Sequence, residues 1–111
     1  MDIQATKSGK AMVVALTGEI VTRDEHRVVQ DTVLKKLAEG ERLFVLDLSK
    51  VPYVSSLGLA ALVAVFVRVD REGGKTRLVN PGPRVANVLE VTKIADIFRT
   101  YSNVEEALAA D

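Results

Sequence analysis

The spacing of hydrophobic and polar positions changes several times along the chain, and each change marks an element. Asp2 to Lys7 alternates, with Ile3 and Ala5 on one side, as an edge strand with one exposed face does. Ser8-Gly9-Lys10 makes a turn, and Met12 to Leu16 is a second, apolar strand ending at Gly18, so an antiparallel hairpin is expected. From Thr22 the period lengthens. Thr22 and Glu25 have the spacing of a capping box, in which each side chain satisfies a backbone donor of the other residue. Val29, Val33 and Leu37 then recur every fourth residue, Val28 and Leu34 widen the stripe, and Gly40 stops this first helix.

The middle of the chain, Leu43 to Glu72, departs from that alternation. Leu43, Phe44, Val45 and Leu46 are apolar on both faces, which places a strand in the interior of a parallel sheet covered by helices. A loop containing Pro52 leads to Ser55 and Ser56, and every position from Leu57 to Val67 is apolar or glycine. A helix lying on a sheet needs only one apolar stripe. This one is apolar all round, so either another element of the chain or a partner covers its far side. The serines fall at the carboxyl end of the central strand, where open sheets of this kind meet their ligands. Both stand where a helix needs a cap, and the free amides of a first turn tolerate either a capping hydroxyl or an anion carried on one.

Beyond Gly73-Gly74, Lys75 to Asn80 reads as a fourth strand with Leu78 and Val79 as its core. Pro81-Gly82-Pro83 is a loop whose last proline suits the first position of a third helix, with Val85, Val88 and Leu89 on one face. Ile94, Ile97 and Phe98 pack a further turn, and Arg99 to Tyr101 makes a short last strand. Ser102 and Glu105 form a second capping-box pattern, starting a terminal helix with Val104, Ala107 and Leu108 inward. The expected architecture is α/β: a mixed sheet of four or five strands, antiparallel in its opening hairpin and parallel afterwards, with about four helices.

Composition narrows the chemistry. A chain of 111 residues fits one domain over residues 1–111. Lys plus Arg and Asp plus Glu both number 15, so the net charge is zero and the basic excess of a nucleic-acid binder is missing. There is no cysteine for a disulfide, a thiolate metal site or a thiol nucleophile. MDIQATKSGK lacks the apolar core of a secretory signal. The Leu57 to Val67 run is shorter than the roughly 17 to 25 residues that cross a bilayer. The expectation is a reducing, cytoplasmic setting with no membrane span.

Catalytic patterns are weak. The only histidine, His26, sits among Asp24, Glu25 and Arg27 and reads as a surface imidazole. Val54-Ser55-Ser56-Leu57-Gly58 lacks the first glycine of a nucleophile elbow, and no glycine-rich phosphate loop or metal-ligand spacing occurs. Asp47 would suit a phospho-accepting aspartate, but the first parallel strand is followed by Glu19 alone rather than an acidic pair. Its expected role is to bond the loop that follows.

Asp47-Leu48-Ser49, Val51, Val54 to Leu59, Gly74 to Asn80 and Pro83-Arg84-Val85 through Leu89 resemble the STAS domain of bacterial anti-sigma factor antagonists. The resemblance covers nearly the whole chain and is most specific from Asp47 to Leu59. It implies the STAS fold and a non-enzymatic regulatory module with no cofactor or metal. It further implies a serine two positions before the Gly-Leu pair, here Ser56, that is phosphorylated by an anti-sigma factor with serine kinase activity. A phosphatase would reset the phosphorylated form. Ser55, Ser56, Leu57, Gly58 and Leu59, with Thr22 and Asp24 from the neighbouring loop and helix start, make the implied partner-binding set. Two departures stand out. The family often reads Gly-Glu-Leu-Asp after the second strand, whereas here Gly18-Glu19-Ile20-Val21-Thr22 lacks the second acid, and Leu57 is bulkier than the Ala or Ser usual before the glycine.

The expected function is therefore an anti-sigma factor antagonist switched off by phosphorylation at Ser56, acting on transcription without touching nucleic acid. The alternative is a STAS scaffold or accessory subunit of a stress-sensing complex or lipid transporter. A fused transporter tail is not expected, since no membrane segment precedes the domain. An enzyme using Ser56 or Asp47 as nucleophile is the remote third reading.

Overall fold

The double-sided apolar strand does lie mid-sheet. In a computed structural model that describes residues 1–110, strands β1 (Asp2–Ser8), β2 (Ala11–Thr17), β3 (Leu43–Lys50), β4 (Lys75–Val79) and β5 (Arg99–Tyr101) form one sheet in the order β1-β2-β3-β4-β5. β1 pairs antiparallel with β2, from Asp2 opposite Thr17 to Ser8 opposite Ala11, and every later pairing is parallel. The crossovers run through helices α1 (Arg23–Ala38), α2 (Ser56–Arg71) and α3 (Pro83–Val91), and α4 (Val104–Ala109) follows β5.

Alternation along the strands divides the core in two. Val14 and Leu16 of β2, Phe44, Leu46 and Leu48 of β3, and Leu78 of β4 face the main core, against Val29, Val33 and Leu37 of α1, Ala61, Leu62, Val65 and Val69 of α2, and Val85 and Leu89 of α3. Ala11, Val45 and Val79 face the other way and meet Ala107 of α4, with Val13, Leu43, Tyr101, Val104 and Leu108 around them. The short α4 thus covers only part of its side of the sheet.

The Thr22–Glu25 capping box is present in full, with the Thr22 hydroxyl accepting from the Glu25 amide at 3.2 Å. Three expectations need correction. Val28 does not widen the α1 stripe: it is 42% exposed, because a 3.6-residue period turns it to the far side of the helix while Leu34 turns toward the core. Ile97 is likewise 44% exposed, whereas Ile94 packs against the core and Phe98 enters it, edge-on to Phe66 with ring centroids 5.3 Å apart. The last helix is capped one residue later than Ser102. The Asn103 side chain accepts from the Glu106 amide at 2.9 Å, and the Glu106 carboxylate reaches back past the cap to accept from the Ser102 amide at 3.1 Å. Asn and Ser rank together as caps, so the two registers look alike in sequence.

Candidate functional site

At the carboxyl ends of β2 and β3 the chain makes two loops that are joined to each other before either helix begins. Val51 and Val54 are buried and anchor the β3–α2 loop from below. Gly18 donates from its amide to the Lys50 carbonyl at 3.0 Å, Ile20 to the Tyr53 carbonyl at 3.2 Å, and Ser55 to the Ile20 carbonyl at 3.0 Å. Ile20 and Val54 form an isolated parallel bridge, which extends the β2–β3 pairing past the strand ends. Tyr53 is half-buried beneath Arg84 of α3, whose guanidinium carbon stands 4.6 Å from the ring centroid.

The two serines have different surroundings. Ser55 is the cap of α2, half-buried, and its hydroxyl is occupied twice: it donates to the Val21 carbonyl at 3.0 Å and accepts from the Gly58 amide at 3.3 Å. Ser56 is the first helical residue, exposed, and its hydroxyl has no partner among the described residues. Leu59 donates its amide to the Ser55 carbonyl at 2.8 Å. With the Gly58 and Leu59 amides taken, those of Ser56 and Leu57 are the open donors of the first turn.

Leu57 is 40% exposed beside Ser56, Gly58 is buried against Ile20, and Leu59 is half-buried. Steps of four, three and four residues along α2 put Ser56, Ala60, Val63 and Val67 on one side of the helix. That side faces outward, with Ala60 exposed, Val63 half-buried and Val67 41% exposed. The far side of α2 is therefore partly covered within the chain, by α1 on one flank and Phe98 on another, and partly left apolar and open.

Thr22 and Asp24 are exposed at the start of α1, and Val21 ties their loop to the Ser55 hydroxyl. The Asp24–Arg27 pair at 4.0 Å is exposed and contributes little. Glu25 fastens the same loop from the other side, since its carboxylate accepts from the Val21 amide at 2.8 Å and the Thr22 amide at 3.0 Å. These backbone donors, the Val21 amide foremost, favour the ionised carboxylate and lower its pKa.

The other candidate chemistry is dispersed. Asp47 Oδ1 accepts from the Ser49 amide at 3.0 Å, as a loop-bonding residue does. His26, expected as a surface imidazole, is half-buried in the first turn of α1. No group of acidic and histidine residues among the described residues has the spacing of a metal site. A concavity of about 590 Å³ opens on the sheet between Gln4, Thr17, Asp47 and Ser49 and includes neither candidate serine. No helix of the described residues is long and apolar enough to cross a membrane.

Sequence reasoning missed the Ile20–Gly58 packing and the Arg84–Tyr53 contact, both of which join residues distant along the chain. The only local sign of the first was a glycine inside an otherwise apolar helix. Reasoning from spacing also left open which serine is the cap.

Known proteins agree with this architecture. The STAS domain family model matches residues 2–107. BtrV of Bordetella bronchiseptica, provisionally named an anti-sigma factor antagonist, is 28% identical over 99 residues, covering 89% of this chain and 85% of its own. A Thermotoga neapolitana protein, also provisionally named an antagonist, is 35% identical over 72 residues, 65% of this chain and 64% of its own. Among solved structures, the Thermotoga maritima protein TM1081 superposes with a TM-score of 0.88 at 22% identity, covering 96% of this chain and 91% of that one. The Bacillus antagonist SpoIIAA, solved in its phosphorylated form, superposes at 0.75 with 16% identity, covering 96% of both chains, and these structural likenesses speak for the fold. A family match over almost every residue, on a mixed sheet whose hairpin and parallel crossovers those structures share, means that the chain belongs to the STAS domain family.

Proposed function

We propose that this protein is an anti-sigma factor antagonist and that Ser56 is its switch. The observation that carries the proposal is the contrast between adjacent hydroxyls: Ser55 is bonded on both sides, whereas Ser56 is exposed and free at the start of an outward apolar stripe. Named relatives are antagonists, which supports a binding module rather than an enzyme.

In this reading the unmodified ledge of Ser56, Leu57, Thr22 and Asp24 docks an anti-sigma factor that is also a serine kinase. The kinase transfers the γ-phosphoryl group of ATP to the Ser56 oxygen, the hydroxyl proton passes to a base on the kinase, and ADP leaves. The product carries about −1.5 to −2 charges where a neutral hydroxyl stood. The open Ser56 and Leu57 amides tolerate that charge in the free protein. A partner shaped for the hydroxyl must instead desolvate it, at a cost of several kcal/mol. The complex then parts, and a phosphatase restores the starting state.

The test is to incubate the chain with ATP and the anti-sigma serine kinase of its own genome, then map the phosphate and measure affinity. A single phosphate on Ser56, none on Ser56→Ala, and affinity at least about 100-fold weaker for Ser56→Asp are expected, the last corresponding to about 3 kcal/mol. Phosphate on another residue, or equal affinity for Ser56→Asp, contradicts the proposal. Recovery of a transporter ATPase in place of a sigma regulator favours the accessory-subunit reading.

A further inference from the structure

We infer that Ser55 is a positioning residue that presents Ser56 and the Thr22–Asp24 loop to the partner as one surface, an inference that rests on the function proposed above. Its hydroxyl lies at the crossing of two loops and uses both of its capacities there, the proton toward the Val21 carbonyl and a lone pair toward the Gly58 amide. The backbone bond from Ser55 to the Ile20 carbonyl and the burial of Gly58 against Ile20 hold the same junction. Thr22 follows Val21 directly, and Ser56 follows Ser55. Thr22 is thus one residue from the carbonyl that the Ser55 hydroxyl bonds, Leu57 is one residue from the amide it accepts from, and Ser56 is next to Ser55 itself, so Ser55 acts through Val21 and Gly58 without touching the partner.

The same geometry selects between the serines. A phosphate on Ser55 has no proton to give the Val21 carbonyl at neutral pH and sets negative charge against that oxygen. A phosphate on Ser56 faces water and leaves the junction intact. Modification is consequently directed to Ser56 by the prior use of Ser55, as well as by whatever the kinase recognises.

The experiment uses the whole chain with phosphoserine installed at either position by codon reassignment, and reads amide hydrogen exchange from Ile20 to Asp24. With phosphoserine at 56 the exchange stays within about twofold of the unmodified protein, and with phosphoserine at 55 it rises at least about tenfold, the scale of one lost hydrogen bond. Ser55→Asp separates the two bonds, because it still accepts from the Gly58 amide but cannot donate to Val21; its loop should exchange as fast as the phosphoserine 55 form. Ser55→Thr keeps the hydroxyl and should restore the unmodified rates. In the presence of the kinase, Ser55→Ala should lower the initial rate of Ser56 labelling at least about fivefold, with Ser55→Thr restoring it. Unchanged loop exchange in Ser55→Asp, or unchanged labelling in Ser55→Ala, overturns the inference. The exchange arm needs no partner, so failure of the unmodified protein to be labelled would count against the proposed function while leaving the loop junction tested on its own.

Discussion

Gly58 lies against the carbonyl oxygen of Ile20 so closely that a Cβ at position 58 would fall well inside van der Waals contact with it, and 3.0 Å from the Ile20 Cβ. The obstacle is backbone, and Ile20 is itself fully buried and bonded through its amide to the Tyr53 carbonyl, so neither side yields cheaply. Gly58→Ala is therefore expected to destabilise the fold by about 2 to 4 kcal/mol, more than its gain in helix propensity returns. The change should appear as a lower urea midpoint with an unchanged slope. A midpoint equal to that of the parent would mean that the β2–α1 loop moves freely away from α2.

The adjacent serines should separate cleanly in stability. Ser55→Ala removes the α2 cap and the bond to Val21, and a loss of about 1 to 2 kcal/mol is expected. Ser56→Ala removes an exposed hydroxyl without a partner, and a change within about 0.5 kcal/mol is expected. Denaturant titration of the two variants under one set of conditions measures the contrast. Equal losses would show that Ser56 also carries structure, which would weaken its assignment as a free acceptor.

The architecture was legible because its strongest signals are local. Four apolar residues from Leu43 to Leu46 match the run usual in an interior strand, Pro83 and Gly40 punctuated helices where those residues usually do, and the Thr22–Glu25 box fixed the start of α1 to the residue. The site was legible only in part. Spacing brought out Ser55 and Ser56 together but could not rank them, because the difference lies in the Val21 carbonyl, which belongs to another loop. The Asn103 cap was missed for a different reason, since Ser102 and Asn103 are equally good caps and local sequence does not choose between them. Val28 and Ile97 were placed inward by hydrophobicity alone, whereas α1 and the turn after α3 each have room for only one buried stripe.

Glu25 gives the candidate site a pH dependence of definite sign. Its folded pKa is depressed by the Val21 and Thr22 amides, so it contributes stability above the ordinary glutamate value. That contribution fades as pH falls through the ordinary value and is gone below the depressed folded one. Glu25→Gln keeps an oxygen for the capping box but loses the charge. The stability difference between parent and Glu25→Gln should be constant near neutrality and shrink on acidification, read from urea midpoints over a pH series. A difference that grows toward acid would reverse the assignment.

Thr76 offers a test inside the core. It is 6% exposed on β4, and its Oγ1 is buried with no hydrogen-bond partner among the described residues. A buried hydroxyl left unpaired costs about 1 to 3 kcal/mol relative to one that is satisfied. Valine has nearly the same shape, fits a strand at least as well, and has no polar atom to satisfy. Thr76→Val is therefore expected to raise stability by about 1 kcal/mol, where most core substitutions lower it. Because Thr76 is remote in sequence from the two loops that carry Ser55 and Ser56, labelling of Ser56 should be unaffected. A lowered urea midpoint in Thr76→Val would mean that the hydroxyl is satisfied in solution, and amide exchange along β4 would then show where.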